Sequence, residues 1–148
     1  MKKSFQIFLG LFGVIAILIA SLHIFLGPSA IPGSIPVNPT MDSEDRFYAT
    51  LFAAFGVALI WCIKDVEHKS REVYFLTATF FIGGLARLVS IAAVGLPNLF
   101  FIAMTILELL IPIYMAYAQY RIVSDAKATS GDGLLNDPST SGSQAQNQ

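Results

Sequence analysis

The chain has 148 residues, of which 55% are hydrophobic and 13% are charged, and its formal net charge is −1. This length allows one domain, and the charged fraction is about half of the share that soluble domains carry. A chain without net positive charge lacks the electrostatic field that attracts nucleic acid, so we expect no nucleic-acid partner. The single cysteine, Cys62, excludes an internal disulfide and a cysteine-based metal cluster.

Four long apolar stretches follow one another along the chain, separated by short charged or proline-rich joints. A bilayer core about 30 Å thick needs about 20 helical residues, which each stretch supplies or nearly supplies. The runs are continuous, without the alternation of a membrane barrel, and this favours helices over strands. The sequence therefore predicts an all-α fold, an integral membrane four-helix bundle, with helices at about 5–26, 47–63, 73–94 and 99–120.

The basic residues between these helices predict how the chain crosses the membrane, because joints rich in Lys and Arg stay in the cytoplasm. The connections 27–41 and 95–98 contain neither residue, whereas the other joints contain Lys2, Lys3, Lys64, Lys69, Arg71, Arg121 and Lys127. We therefore expect an up-down-up-down bundle in the bacterial cytoplasmic (inner) membrane, with both termini in the cytoplasm.

Two segments outside the predicted helices have a distinct composition. Connection 27–41 contains four prolines, which predict a stiff, extended segment rather than a helix. Residues 123–148 are rich in Ser, Gly, Gln, Asn and Asp, and they bury too little apolar surface to fold. The chain thus divides into a transmembrane domain, 1–122, and a disordered cytoplasmic tail, 123–148.

Two ionisable residues lie inside the apolar stretches. Arg87 and Glu108 are about 12 and about 15 Å below the outer ends of the third and fourth helices, at about 1.5 Å per residue. A lone charge at such a depth costs at least about 2.5–3.5 kcal/mol, so we expect an ion pair that faces the bundle interior. Gly83 and Gly84 share the helix face of Arg87, where small residues let a second helix approach.

Two further polar residues belong to the outer half of the predicted bundle. His23 lies about one turn below the outer end of the first helix, and Arg46 lies at the outer rim of the second helix among acidic residues. With Arg87 and Glu108 they form a hypothetical polar pocket open towards the outer face, and these four are the candidate binding residues. A structural interpretation stays open beside it, in which the ion pair fixes helix register while Arg46 and His23 reach towards the interface.

The sequence contains none of the motifs that indicate a particular reaction. It has no phosphate-binding glycine loop, no His/Cys metal spacing and no nucleophile elbow. We therefore predict no catalytic residue, no metal site and no cofactor, and an enzyme is not the favoured interpretation. One enzymatic alternative uses Glu108 as an intramembrane acid or base.

Several of these residues belong to segments that resemble a known bacterial family. The segment 39–65, which begins Pro-Thr-Met-Asp-Ser-Glu-Asp-Arg, resembles the first signature of the domain-of-unknown-function 4345 family. The segments 83–90, 95–97 and 108–112 resemble the second, in the same order and spacing. The resemblance covers roughly residues 10–118. It implies a small four-helix protein of the bacterial inner membrane and brings no activity with it.

Three functions follow from these observations. The leading hypothesis is a non-enzymatic role in cell-envelope integrity or membrane lipid homeostasis, through membrane lipids or a membrane-protein partner, a homo-oligomer included. The second is a binder or transporter of a small lipophilic molecule that uses the outer pocket. The third is the membrane enzyme described above.

Overall fold

The chain folds into long α-helices joined by short connections. The structure, a computed structural model, describes residues 1–135, with side chains through residue 128. In this part of the chain four helices are long and apolar enough to cross a membrane. The predicted all-α fold is therefore confirmed, and the chain is a multi-pass membrane protein. The helices are α1 Lys2–Leu26, α2 Pro39–Cys62, α3 Ser70–Val94 and α4 Leu99–Leu135, and a 3₁₀ helix, Gly27–Ala30, follows α1.

The second helix begins before its apolar stretch, at Pro39 rather than near residue 47. Asn38 caps it, since the Asn38 side chain accepts a hydrogen bond of 2.9 Å from the Met41 amide. Pro39 occupies the first turn, where a missing N–H leaves no helical bond unmade. The acidic residues that follow are therefore helical. The extended segment predicted over 27–41 is wrong at both of its ends.

The fourth helix also continues beyond its predicted end. It runs to Leu135 and so includes residues 123–135, whose composition predicts disorder. Adding residues to an existing helix costs much less than nucleating a new one, so composition alone is a poor guide directly after a long helix. The rest of the predicted tail, 136–148, lies outside the described residues.

The helices pack mainly as two antiparallel hairpins, α1 with α2 and α3 with α4. Glycines permit a close approach in the first hairpin: a Cβ built on Gly13 would lie 2.7 Å from the backbone oxygen of Gly56, and the reverse distance is also 2.7 Å. In the second hairpin, a Cβ built on Gly84 would lie 3.1 Å from the Cβ of Glu108. Small residues thus set both crossings, as they commonly do between membrane helices.

The two hairpins are joined at one end of the bundle. We call this the proximal end; it contains the start of α1 and the α2–α3 connection, 63–69, while the distal end contains the connections 27–38 and 95–98. Gln6 of α1 and Gln119 of α4 each donate a 2.6 Å hydrogen bond to a carbonyl of the α2–α3 connection. All four helices contribute to the buried apolar cluster here, which consists of Phe5, Leu9, Leu59, Cys62, Val66, Val73, Leu76, Met115, Ala118 and Ile122.

A layer of three phenylalanines lies distal of this cluster. The ring of Phe80 on α3 is 4.9 Å from the ring of Phe12 on α1 and 5.7 Å from that of Phe55 on α2, measured between centroids. Further along the interior face of α3 the cover is lost: Val73 is fully buried, Phe80 is 9% exposed, and the Arg87 side chain is 40% exposed. On this face of α3 the side chains are therefore buried as far as the phenylalanine layer, and Arg87 beyond it is partly exposed, although Gly84 between them is buried against α4.

Candidate functional site in the distal half

An ion pair joins α3 to α4 in the distal half of their hairpin. The Nε atom of Arg87 donates a 2.6 Å hydrogen bond to Oε2 of Glu108. Gly84, one turn before Arg87, brings the two helices close enough for this bond because it has no side chain. Gly83 does not share this role, since a Cβ built there would meet no atom within 4 Å.

The two members of the pair have different surroundings. The Glu108 side chain is only 9% exposed, on the same helix face as the buried Thr105, whereas the Arg87 side chain is 40% exposed. Pro112 follows one turn later and lacks the N–H that would bond the Glu108 carbonyl in a regular helix. The pair thus connects a buried carboxylate to a partly exposed guanidinium. The backbone carbonyl of Glu108, beside the carboxylate, has no helical donor.

Arg87 uses only part of its hydrogen-bonding capacity. A guanidinium has N–H donors on Nε and on both Nη atoms, and within the described residues Arg87 donates only through Nε. Its guanidinium carbon lies 5.4 Å from the centroid of the Phe101 ring, a cation–π contact. Phe101 is in the first turn of α4, so the guanidinium lies between Glu108 and the distal start of that helix. Both Nη groups are therefore without an acceptor in the described part of the chain.

Arg46, at the distal end of the first hairpin, uses all of its nitrogen atoms. Nε and Nη2 donate to the two carboxylate oxygens of Asp42 at 2.8 and 3.0 Å, and Nη1 donates to the carbonyl of Ile24 in the last turn of α1. Gly27 leaves room for this arrangement: a Cβ there would lie 2.7 Å from Nη2, and its φ of 62° is left-handed. Arg46 therefore links α2 to the carboxyl end of α1, where the helix dipole favours a positive charge.

His23 forms a second link within the same hairpin. Its Nδ1 atom lies 3.1 and 3.2 Å from the two carboxylate oxygens of Asp45, and both side chains are partly buried. His23 belongs to α1 and Asp45 to α2, so the two links together fasten the distal ends of these helices.

The residues of these polar pairs lie inside a segment of the chain that matches a known protein family. The model of a domain of unknown function, DUF4345, matches residues 4–119. The chain belongs to the DUF4345 family. The resemblance expected from roughly residues 10–118 is thereby confirmed, and both polar pairs lie within the matched range. Neither the comparison with curated proteins nor the comparison with solved structures returns a match.

In this DUF4345 chain the four candidate residues fall into two groups. His23 and Arg46 belong to the first hairpin and bind acidic partners there, whereas Arg87 and Glu108 belong to the second and bind each other. Within the described residues, no hydrogen bond or ion pair connects the groups. Sequence reasoning missed the pairing of His23 with Asp45, because a contact across 22 residues leaves no local pattern. It also missed the pairing of Asp42 with Arg46, because the second helix was expected to begin at about residue 47, whereas both residues are helical and four residues apart.

The chemistry available in the DUF4345 site is hydrogen-bond donation. In the part of the chain that the structure describes, no three His, Cys, Asp or Glu residues are grouped so that they would hold a metal ion. Each nitrogen of Arg46 already donates one hydrogen bond within the first hairpin, and Glu108 is buried against Arg87. The Nη groups of Arg87 are therefore the polar groups of the four candidates that are best placed to bind a molecule.

Proposed function

We propose that this DUF4345 protein binds a membrane lipid in the open distal half of its bundle. In this proposal the protein supports cell-envelope integrity and lipid homeostasis by holding lipid, without catalysing a reaction. The observation that carries the proposal is the guanidinium of Arg87, which is 40% exposed at membrane depth and has both Nη groups unbonded within the described residues.

The energetics of the membrane interior support a bound acceptor. An unsatisfied polar group in hydrocarbon costs several kcal/mol, because water is not there to bond it. The ion pair with Glu108 offsets the charge of Arg87 but satisfies only its Nε atom. A ligand with acceptor oxygens would satisfy the Nη groups, and lipids surround a membrane protein at higher concentration than any other such molecule.

The packing of the bundle favours a binder over a transporter. The buried cluster and the phenylalanine layer fill the proximal part, so a route across the membrane would require this core to separate. At the distal surface the connection of the first hairpin approaches that of the second, since a Cβ built on Gly33 would lie 3.3 Å from Nδ2 of Asn98. A lipid would therefore reach Arg87 sideways, between the hairpins.

We further propose that the distal end faces away from the cytoplasm, in the bacterial cytoplasmic membrane. The basic residues of the joints belong to the start of α1, the α2–α3 connection, the start of α3 and the last part of α4, whereas the distal Arg46 is paired with Asp42. Both termini are then cytoplasmic. Reporter fusions after residue 35 should read as external, and fusions after residues 68 and 125 as cytoplasmic. A cytoplasmic signal at residue 35 would refute this orientation.

The lipid-binding proposal is tested by what the protein retains on purification. Full-length protein extracted in a mild detergent should carry lipid that mass spectrometry detects, and Arg87→Leu/Glu108→Leu, which removes both charges together, should carry less of it. Arg71→Gln, an exposed arginine at the proximal start of the same helix, is the control. Equal lipid retention in all three proteins would refute the site.

A deletion strain tests the biological role. If the protein acts by holding lipid, the deletion should increase sensitivity to detergents and to antibiotics that the envelope excludes. The Arg71→Gln protein should restore resistance, and the Leu/Leu protein should fail at a matched membrane level. Full restoration by the Leu/Leu protein would leave the ion pair with a structural role only.

A further inference from the structure

The unused donors of Arg87 indicate which part of a lipid occupies the distal site. We propose that the Nη groups of Arg87 bind the ester carbonyl oxygens of a glycerolipid from the adjacent leaflet, and that they do not bind the phosphate of its headgroup. The inference rests on the lipid site proposed above and adds the chemical group that is recognised.

Depth is the first argument for a carbonyl. Arg87 lies five residues distal of Ile82, the midpoint of α3 Ser70–Val94, so its Cα is about 7 Å from the middle of the helix. In a helix centred on a hydrocarbon core about 30 Å thick, this position is about 8 Å below the boundary. Phosphates lie further out, in headgroup regions that add about 5–7 Å on each side. Ester carbonyls lie at the boundary itself, and the Phe101 ring beside the guanidinium belongs to the first turn of α4 at this end of the bundle.

Charge is the second argument. The distal half contains four carboxylates, of Asp42, Glu44, Asp45 and Glu108, and two guanidinium groups, of Arg46 and Arg87. The pair of Arg87 with Glu108 is already neutral, so a phosphate would add an uncompensated negative charge at low dielectric. A carbonyl oxygen accepts the same hydrogen bonds without adding a charge.

The geometry of the guanidinium is the third argument. Nε is occupied by Glu108, which leaves the two Nη groups to donate side by side in the plane of the fork. A glycerolipid carries two ester carbonyls on neighbouring carbons of its glycerol, so one molecule supplies an acceptor for each Nη group. The acyl chains would lie against the exposed apolar side chains that flank Arg87 in α3, which are Leu85, Leu88 and Val89.

The experiment compares two lipids that differ only in these carbonyls. The full-length protein is depleted of lipid in detergent and titrated with dihexadecanoylphosphatidylcholine, or with di-O-hexadecylphosphatidylcholine, whose ether links lack the carbonyl oxygens. Binding is measured by native mass spectrometry and by thermal protection. Two net hydrogen bonds predict about a thirtyfold preference for the ester lipid. Dihexadecanoylphosphatidylglycerol, an anionic ester lipid, should bind no better than the choline ester.

Arg87→Lys is the decisive variant, because lysine keeps the positive charge beside Glu108 and so permits folding, but it lacks the planar fork. It should lose the preference for the ester lipid, while Arg71→Gln should keep it. If wild-type protein binds ester and ether lipids equally and Arg87→Lys weakens both, carbonyl recognition is refuted and the lipid site stands. A preference for the anionic headgroup in wild type also refutes it. An ester preference that survives undiminished in Arg87→Lys refutes recognition by the paired Nη groups, and binding of neither lipid overturns the site itself.

Discussion

Gly83 and Gly84 are neighbours on α3 with opposite surroundings, so the same substitution should change stability in opposite directions at the two positions. Alanine is more favourable than glycine in a helix interior by about 1 kcal/mol. At Gly83 a new Cβ would meet no atom within 4 Å. Gly83→Ala should therefore raise the free energy of unfolding by up to about 1 kcal/mol.

At Gly84 the new Cβ would lie 3.0 Å from Cδ2 of Leu109, 3.1 Å from Cβ of Glu108 and 3.2 Å from the carbonyl carbon of Glu108. Ordinary contacts of a Cβ are at 3.4–4 Å, so α3 and α4 must separate by a few tenths of an ångström. Overpacking of this kind costs about 1–3 kcal/mol. After the gain in helix propensity, Gly84→Ala should lower the free energy of unfolding by about 1 kcal/mol, and at most by about 2 kcal/mol.

The measurement is the unfolding of both variants and the wild type by sodium dodecyl sulfate in mixed micelles, followed by circular dichroism. Because each variant changes glycine to alanine at adjacent positions of one helix, the difference between them isolates the contact with α4. If Gly84→Ala is as stable as Gly83→Ala, the two helices do not cross at Gly84. The close approach that places Glu108 beside Arg87 would then be refuted.

Three further predictions use the same unfolding assay. Arg87→Leu leaves a buried carboxylate unpaired and should lower the free energy of unfolding by about 3–5 kcal/mol. Glu108→Leu should cost less, because the exposed guanidinium can turn towards the interface. The double Leu variant should recover much of the lost stability, whereas additive losses would contradict pairing. Arg46→Gln should destabilise the protein more than Arg71→Gln does, since it breaks the link from α2 to the end of α1. Equal effects of the two substitutions would show that this link does not stabilise the protein. Gln119→Leu removes the donor to a buried carbonyl of the α2–α3 connection, but it also removes the buried Oε1 of Gln119, which has no hydrogen-bond partner within the described residues. The substitution should therefore cost at most about 1–3 kcal/mol, and a raised unfolding midpoint would contradict the role of the hydrogen bond.

The parts of the structure that sequence predicted are those fixed by the length and depth of apolar runs. Each of the four stretches is long enough for a membrane span, and each forms a helix. Arg87 and Glu108 were expected to pair because they lie at nearly equal depths on consecutive helices, where an unpaired charge is costly. Both inferences depend only on distance along a helix axis, which follows directly from the number of residues.

The parts that sequence could not predict depend on contacts between helices. His23 and Asp45 are 22 residues apart and meet only because α1 and α2 cross tightly at Gly13 and Gly56. The unequal roles of Gly83 and Gly84 depend on the rotation of α3 against α4, and adjacent glycines give no sign of it. The division of the distal residues into two groups has the same origin, because the apolar core that the two hairpins share extends from the proximal end to the phenylalanine layer and does not include these residues.

The two distal arginines have the same charge but form different hydrogen bonds, and these bonds indicate different roles. Arg46 and Arg87 carry the same group, and each has an acidic partner. Each nitrogen of Arg46 donates a hydrogen bond to a group of its own hairpin, and these bonds fasten α1 to α2. Within the described residues Arg87 donates only through Nε, and its two Nη groups have no acceptor. This difference in hydrogen bonding, and not exposure, distinguishes the two arginines, because both side chains are 40% exposed. If Arg87 were also purely structural, Arg87→Lys would keep the pair with Glu108 and leave lipid binding unchanged. The comparison of binding between the ester lipid and the ether lipid would detect that outcome.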